Sequence, residues 1–215
     1  MDGVPGGWVV ARLGERVRWS VEPDAAAVLA ATRGCAAVGV DIPLGLPAGG
    51  IRRACDVATA AALGRARSSA FACPPREVLA EATYEAACAV ARRTTGRAIS
   101  LQSFHIGARI REWDALVDRP AHVVEVHPEL ALRRLAPDVD FAPKRTARGA
   151  GQRIAALARW LDVGPALADL PGGARFDDVL DALAAAWSAA RVARGEAERL
   201  GEELDDRGRP MFVAV

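Results

Sequence analysis

The chain has 215 residues, of which 51% are hydrophobic and 26% are charged. It is therefore long and apolar enough to bury a core, which excludes a chain that is disordered throughout. The 28 Lys and Arg residues nearly balance the 27 Asp and Glu residues, so the net charge of +1 does not by itself indicate a polyanionic partner. The sequence contains neither a run of ~18 apolar residues nor a signal-peptide pattern, and we expect a cytoplasmic protein with no membrane segment.

The first 42 residues predict a hairpin, a helix and a buried strand. Residues 7–13 and 16–22 alternate as strands do, and Gly14-Glu15 between them suits a tight turn. Asp24 then caps an Ala-rich helix that ends near Gly34. The apolar run 36–42 predicts a strand that is buried on both faces and interrupted by Asp41.

Residues 51–118 have a helical pattern and predict three or more helices, with breaks near residues 68–75 and 94–100. We expect this segment to line a cleft rather than to form its own core. Four arginines lie near the chain breaks, where we expect them to face a phosphate: Arg52, Arg65, Arg67 and Arg76.

The rest of the chain predicts further helices around two strands. Residues 122–126 predict a strand, and Pro128 suits the first turn of the helix that follows. Helices are predicted from about residue 148 to 161 and over 177–194, and residues 210–215 predict an edge strand. This order of elements indicates an α/β fold, with a mixed sheet covered on both sides by helices.

Asp41 ends an apolar strand, where a carboxylate is unfavourable unless it meets a cation, a cleft or a hydrogen-bond donor. Ligand sites in open α/β sheets form at the carboxyl ends of strands, which favours a functional role. The alternative is that Asp41 accepts hydrogen bonds from the Pro-Gly loop behind it.

Asp178 and Asp181 are three residues apart and therefore share one face of the last long helix. Like charges at this spacing repel each other, and a divalent cation between them would reverse the sign of the interaction. The alternative is a favourable interaction with the helix dipole, which accounts for Asp178 in the first turn better than for Asp181.

Weaker signals lie in three other segments. Asp2 precedes a Gly-rich turn, and the alternation of Glu125, His127 and Glu129 suits a metal. A His that caps the helix starting at Pro128 is an equally good interpretation. The basic, Gly-broken segment 143–153 is either a loop that contacts phosphate or a solvated connector.

These residues belong to motifs that follow one another in a fixed order along nearly the whole chain. The motifs are Asp2-Gly3, Gly6-Gly7-Trp8, Val40-Asp41-Ile42-Pro43-Leu44-Gly45-Leu46-Pro47, Arg53-Ala54-Cys55-Asp56, Ser68-Ser69-Ala70-Phe71, Pro75-Arg76, Ser100-Leu101-Gln102, Glu125-Val126-His127-Pro128-Glu129, Pro143-Lys144-Arg145-Thr146 and Asp177-Asp178-Val179-Leu180-Asp181-Ala182-Leu183. With these motifs in this order, the chain resembles the predicted nucleases with an RNase H-like fold that are grouped as domain of unknown function 429. The last motif also resembles the last catalytic helix of Holliday-junction resolvases.

The resemblance implies a single RNase H-like domain over residues 1–215. Its mixed sheet would have about five strands flanked by helices, with the helical insertion at residues 51–118. Several strand residues precede the Asp-Gly pair in the family, whereas only Met1 does here. We therefore expect a short first strand that holds Asp2 weakly.

The function implied by the resemblance is divalent-metal-dependent cleavage of phosphodiester bonds in a nucleic acid or nucleotide. Two Mg²⁺ or Mn²⁺ ions would carry the reaction, and such hard cations prefer carboxylate ligands. The expected metal ligands are Asp2, Asp41, Asp178, Asp181 and Glu125, and the expected further catalytic residues are His127 for proton transfer and Lys144 for phosphate contact.

Two alternatives belong to other functional classes. An actin-like phosphotransferase or nucleotide hydrolase shares the sheet topology, although the chain is long enough for only one half of such a protein and shows no second Asp-Gly-Gly turn. A non-catalytic RNase H-like binding module would keep the acids as structural caps. Binding of Mn²⁺ through those acids separates the nuclease from a purely structural module.

Overall fold

The computed structural model describes residues 1–50 and 52–215, so Ile51, the first residue of the predicted insertion, lies outside it. Over the described residues the protein is mixed α/β, with nine α-helices and two sheets of three and four strands. The elements are β1 (Asp2–Val4), β2 (Gly7–Arg12), β3 (Arg18–Glu22), α1 (Ala25–Ala31), β4 (Val38–Val40), α2 (Ala54–Leu63), a 3₁₀-helix (Gly64–Ser69), α3 (Arg76–Leu79), α4 (Tyr84–Thr95), α5 (Leu101–Asp114), β5 (Val123–Val126), α6 (Pro128–Leu135), α7 (Ala147–Leu157), α8 (Val163–Ala168), α9 (Phe176–Ala193), β6 (Arg199–Leu204) and β7 (Pro210–Ala214).

The contacts within the chain form two compact units. The first contains Met1–Asp41, Pro120–Glu198 and Ala214–Val215, and the second contains Ile42–Arg119 and Arg199–Val213. The helical segment predicted at residues 51–118 thus shares its unit with β6 and most of β7, which follow it by some 80 residues.

The three-stranded sheet is antiparallel, with the order β1-β2-β3. Asp2 pairs with Val9 in the first ladder, and Arg12 pairs with Arg18 at the end of the second. The predicted hairpin is confirmed, but its connection is longer than the Gly14-Glu15 turn because pairing stops at Arg12.

Met1 links this sheet to the parallel pair β4–β5, in which Val38 is in register with Val123. The backbone nitrogen of Met1 donates to the carbonyl oxygen of Gly39 at 2.9 Å, and the nitrogen of Asp41 donates to the carbonyl oxygen of Met1 at 3.3 Å. Met1 therefore bonds to the residue before Val40 and to the residue after it, which is the hydrogen-bond pattern of a parallel bridge between Met1 and Val40. The two short strands β1 and β4 therefore lie side by side, and the prediction of one sheet of about five strands is corrected to two sheets that adjoin at Met1.

Helix α9 forms the centre of the first unit. Its Ala-rich sequence favours the helix, and every residue from 179 to 189 is buried. A helix that is buried on all sides packs against several elements, and α9 contacts β1, β2, β4, β5, α6 and α7. The prediction of a helix over residues 177–194 is confirmed within one residue at each end.

The second unit is mostly helical between residues 54 and 114, with breaks where the sequence predicts them. It has its own apolar cluster, made of Val78, Ala87, Val90 and Ala91 from α3 and α4. The expectation that this segment lacks a core was therefore wrong, because the amphipathic face of α4 is covered within the unit itself.

The arginine that was expected to face a phosphate near Pro75 instead makes ion pairs within the second unit. Arg76 pairs with Asp114 at 3.1 Å and with Asp205 at 2.8 Å, and it also contacts Asp206. Asp205 in turn accepts backbone hydrogen bonds from Arg207 and Arg209 at 2.9 Å each. The network connects α3 and α5 to the turn between β6 and β7, and Arg76 is a structural residue.

Two elements, β6 and α8, were not predicted. Strand β6 has the composition Arg-Leu-Gly-Glu-Glu-Leu, whose charges masked its alternation, and α8 is only six residues long. No helix among the residues that the structure describes has the length and hydropathy needed to cross a bilayer.

The approach of β4 to α9 provides a test of this packing. A Cβ atom on Gly39 would lie 2.6 Å from the carbonyl oxygen of Ala185. We therefore expect Gly39→Ala to reduce the free energy of unfolding by about 1–3 kcal/mol, as overpacking does. Gly151 on α7 is the matched control, because its Cβ would meet nothing within 4 Å, and Gly151→Ala should add about 0.5–1 kcal/mol. Urea denaturation measures both, and equal effects of the two substitutions would contradict the close approach.

Candidate functional site

Four aspartates lie together where the start of α9 packs beside β1 and the end of β4. They are Asp2, Asp41, Asp178 and Asp181. The bridge between Met1 and Val40 sets Asp2 beside Asp41, since each residue is the next one along a parallel strand. Asp178 and Asp181 lie in the first two turns of α9, which packs across β1 and β4. The two strand aspartates are thus brought beside the two helix aspartates, which follow them in the sequence by 137 to 179 residues.

The electrostatics of this group are dominated by burial and mutual repulsion. Burial, together with the neighbouring charges of Asp181 and Asp178, raises the pKa of Asp2 to about 7 against the opposing effect of Lys144. The pKa of Asp41 is raised well above its ordinary value by burial and by the charges of Asp2 and Asp181. The neighbouring cations therefore do not offset the cost of ionising all four carboxyl groups, which hold their protons to a higher pH than ordinary aspartates do.

Two cationic groups lie beside the aspartates, namely Lys144 and the amino group of Met1, whose own pKa is lowered by burial to about 6. The ammonium nitrogen of Lys144 lies 2.5 Å from Oδ2 of Asp181, a side chain that is only 9% exposed. Burial lowers the pKa of Lys144, but the contact with Asp181 outweighs it and the net pKa is raised. Burial raises the pKa of Asp181 in spite of this contact, so a single lysine does not neutralise the group.

The loop that carries Lys144 is held by side chains of α7. Arg153 is buried, with 3% exposure, and donates to the carbonyl oxygens of Ala142 at 2.9 Å and Gly149 at 3.1 Å. It also pairs with Glu129 at 2.6 Å. Thr146 caps α7 by accepting a hydrogen bond from the nitrogen of Gly149 at 3.0 Å. The basic segment 143–153 is thus an ordered support for Lys144 rather than a solvated connector.

Two exposed arginines border the acidic group. Arg145, whose side chain is 73% exposed, lies 3.7 Å from Asp177, and Arg175, at 54% exposure, lies 3.3 Å from the same residue. Asp177 therefore pairs with two arginines at the rim, whereas Asp181 is buried and pairs with Lys144.

Glu125 and His127 are placed differently from the four aspartates. Glu125 is buried in β5 opposite Val40. Side chains alternate along a strand, so Glu125 lies on the opposite face from Val126, which contacts the Gly39 position next to α9. Nδ1 of His127 accepts a hydrogen bond from the nitrogen of Leu130 at 3.3 Å. The structure therefore gives His127 the capping role, and it does not bring Glu125 to the face that holds Asp181.

The donor chemistry of the group suits a hard divalent cation, since carboxylate oxygens are the ligands that Mg²⁺ and Mn²⁺ prefer. Among the residues that the structure describes, no set of three or more His, Cys, Asp or Glu side chains is arranged to hold a metal ion. The ammonium of Lys144 contacts Oδ2 of Asp181, an oxygen that such a cation would use. The aspartates fit a metal by charge and ligand type, and their ligand role stays a prediction.

The sequence did not predict the roles of Arg153 and Glu129. Glu129 pairs with Arg133 at 3.1 Å and with Arg153, and it stabilises the Lys144 loop instead of joining a Glu-His-Glu metal set. The available signal was that Arg153 lies in a helix among apolar residues, at Ile154, Ala156 and Leu157. A charged residue at such a position requires a partner.

Comparison with protein families gave a match over residues 1–206 to a family described as "Protein of unknown function (DUF429)". Comparison with curated proteins and with solved structures gave no significant match.

The raised pKa values predict how the stability of the metal-free protein depends on pH. An acid whose pKa is raised on folding loses stability as pH rises from its unfolded value towards its folded value, because the folded state then binds more protons. For Asp2 this pH window runs from the ordinary pKa of 3.8 to the folded-state pKa of about 7. We expect Asp2→Asn to be progressively more stabilising relative to the native chain as pH rises from 4 to 8. Thermal melts without divalent metal measure this, and a difference in Tm that does not change with pH would contradict the shift.

Proposed function

The chain belongs to the family described above, and we propose from its site that it is a divalent-metal-dependent nuclease that cleaves phosphodiester bonds. The family description states no activity, so the proposal rests on the four aspartates and on the resemblance of the motifs around them. The observation that carries it is the meeting of four partly or fully buried aspartates whose pKa values are all raised although Lys144 and the amino group of Met1 lie beside them. Buried carboxylates are unfavourable without a compensating cation.

The arrangement of the strands supports an RNase H-like fold for the first unit. The hydrogen bonds of Met1 set β1 between β2 and β4. Strands β2 and β3 then lie on one side of β1, and strands β4 and β5 lie on the other. The resemblance places the first strand, with its aspartate, at the centre of a mixed sheet. Antiparallel pairing in β1-β2-β3 and parallel pairing in β4–β5 are consistent with that placement.

In the proposed reaction, Asp2, Asp41, Asp178 and Asp181 would hold Mg²⁺ or Mn²⁺. Bound divalent metal supplies a nucleophilic hydroxide at neutral pH and stabilises the leaving oxygen. The chain orients Asp2 through its own backbone, because Oδ1 accepts a hydrogen bond from the nitrogen of Gly3 at 2.7 Å. This leaves Oδ2 of Asp2 for a ligand.

Lys144 is proposed to contact a phosphate oxygen of the substrate. Its side chain is 41% exposed and is carried by a loop that Arg153 holds, so the ammonium can move from Asp181 towards a substrate while the loop stays in place. His127 is less suited to the proton transfer proposed from the sequence, since Nδ1 is engaged by the helix cap.

The substrate class is a nucleic acid or nucleotide. Arg145 and Arg175 at the rim place guanidinium groups beside the acidic group, and guanidinium groups bind phosphates through paired hydrogen bonds. A phosphodiester could thus be held by these arginines while its phosphorus faces the aspartates.

Titration with Mn²⁺ tests the metal site. We expect the native chain to bind Mn²⁺ at pH 8, and Asp181→Asn or Asp41→Asn to weaken binding by at least about tenfold, or ~1.4 kcal/mol, through the loss of a charged ligand. The matched control is Asp169→Asn, an exposed aspartate at the end of α8, which should bind as the native chain does. Isothermal titration calorimetry gives the affinities, and circular dichroism confirms that each variant is folded.

Cleavage assays complete the test of the nuclease proposal. Single- and double-stranded DNA, RNA and a branched junction are incubated with Mn²⁺, and Lys144→Ala should lower the rate while Mn²⁺ binding persists. Binding of Mn²⁺ without cleavage of any of these substrates would favour the non-catalytic module. Absence of Mn²⁺ binding in the native chain would contradict the proposal as a whole.

A further inference from the structure

Strand β3 is the outer strand of the antiparallel sheet. The order of this sheet is β1-β2-β3, and residues 18–22 pair with β2 along one edge. Within the described part of the chain, the backbone of these residues makes no hydrogen bond to a segment other than β2. An open strand edge presents unpaired N–H and C=O groups and is therefore a template for a further strand.

The two faces of β3 differ in chemistry. Trp19 belongs to the apolar cluster under α9, and Val21 lies on the same face because side chains alternate along a strand. Although it is apolar, Val21 is 41% exposed. The opposite face of the strand is polar and consists of Arg18, Ser20 and Glu22.

Arg18 and Glu22 place opposite charges at the two ends of this polar face. In the ladder, Arg18 is opposite Arg12 of β2, and like charges directly opposite each other are unfavourable. None of the ion pairs within the described residues involves Arg12, Arg18 or Glu22. An acid on the outer side of Arg18 and a base on the outer side of Glu22 would both be favourable.

We propose that β3 is the contact strand of a homodimer, in which the β3 strands of two copies pair antiparallel about a two-fold axis at Ser20. Arg18 then lies opposite Glu22 of the second copy, and Trp19 lies opposite Val21 of the second copy. Each of these pairs occurs twice, because a two-fold interface brings the same surface of both copies together. Pairs of opposite charge and pairs of an aromatic with a β-branched residue are favourable across antiparallel strands.

The sequence of β3 favours a second copy of this chain over an unrelated peptide. Arg-Trp-Ser-Val-Glu is complementary to itself in the antiparallel direction, and the register centred on Ser20 pairs all five residues. A shift of two residues, the smallest that keeps the faces matched, leaves only three residues paired and separates Arg18 from Glu22. Pro23 follows directly and has no N–H group, which limits the ladder to the length of β3.

The short ladder determines how strong the dimer is. Five residues from each copy form an interface at the small end of specific protein contacts, so we expect a rapidly reversible dimer with a Kd on the order of 10–100 µM. Sedimentation velocity of the full chain from about 5 to about 500 µM should therefore show a shift from monomer to dimer. Hydrogen exchange of the backbone amides in residues 18–22 should become slower over the same range.

Two charge reversals test the register. Arg18→Glu and Glu22→Arg each set like charges opposite each other at both ends of the ladder, and each should raise the Kd by at least about tenfold. An equimolar mixture of the two variants should associate as the native chain does, because the acidic strand of one variant then faces the basic strand of the other. The double variant should dimerise for the same reason.

Arg65→Glu is the matched control, since it makes the same charge change on the exposed 3₁₀-helix of the second unit and should leave the Kd unchanged. Circular dichroism establishes that each variant is folded. A native chain that stays monomeric throughout, or single variants that do not associate when mixed, would overturn the proposal. A dimer that both single variants retain would overturn it as well, because the interface would then lie on another surface.

Discussion

The meeting of four carboxylates beside the ammonium of Lys144 and the amino group of Met1 is the constraint on which the first unit depends. Bringing like charges together out of water is unfavourable, and the raised pKa values of Asp2, Asp41 and Asp181 express that cost. The surrounding elements oppose it by apolar packing. Helix α9, which carries two of the acids, is buried along eleven consecutive residues and is anchored by strands and helices on several sides.

In the second unit, several aspartates are paired with arginines. Arg53, at 1% exposure, pairs with Asp56 at 2.5 Å, and Asp56 also accepts the backbone nitrogen of Cys73 at 2.9 Å. Arg76 and Arg209 are each matched with Asp114 and Asp205. Asp56, Asp114 and Asp205 therefore have guanidinium partners at short range, and the pKa of Asp205 is lowered to about 2 by the hydrogen bonds that offset its burial. The pKa of Asp114 is lowered as well, whereas the pKa values of the group around Asp2 are raised.

Elements that are determined by neighbouring residues could be predicted from the sequence. Placements that depend on contacts between distant residues could not. Helix α9 and the hairpin follow from composition and alternation, and Asp24 caps α1 as expected, with the nitrogen of Ala27 at 2.7 Å. The placement of Asp2 beside Asp41 depends on Met1, whose contacts no periodicity reveals. The side on which Glu125 lies depends on strand register, and a shift of one residue would reverse it. Glu129 and Arg153 pair across 24 residues of sequence, and a pattern of neighbouring residues does not reveal such a contact.

The contact between Lys144 and Asp181 bears on the order of events during synthesis. An acidic site without an internal counterion would oppose collapse of the nascent chain until a divalent ion arrived, and folding would follow the supply of that ion. Because Lys144 is 37 residues before Asp181 in the chain, it emerges first and is present when α9 docks. Lys144 therefore gives α9 a counterion from within the chain, and under the proposed function the supply of divalent metal would set the occupancy of the site rather than the amount of folded protein.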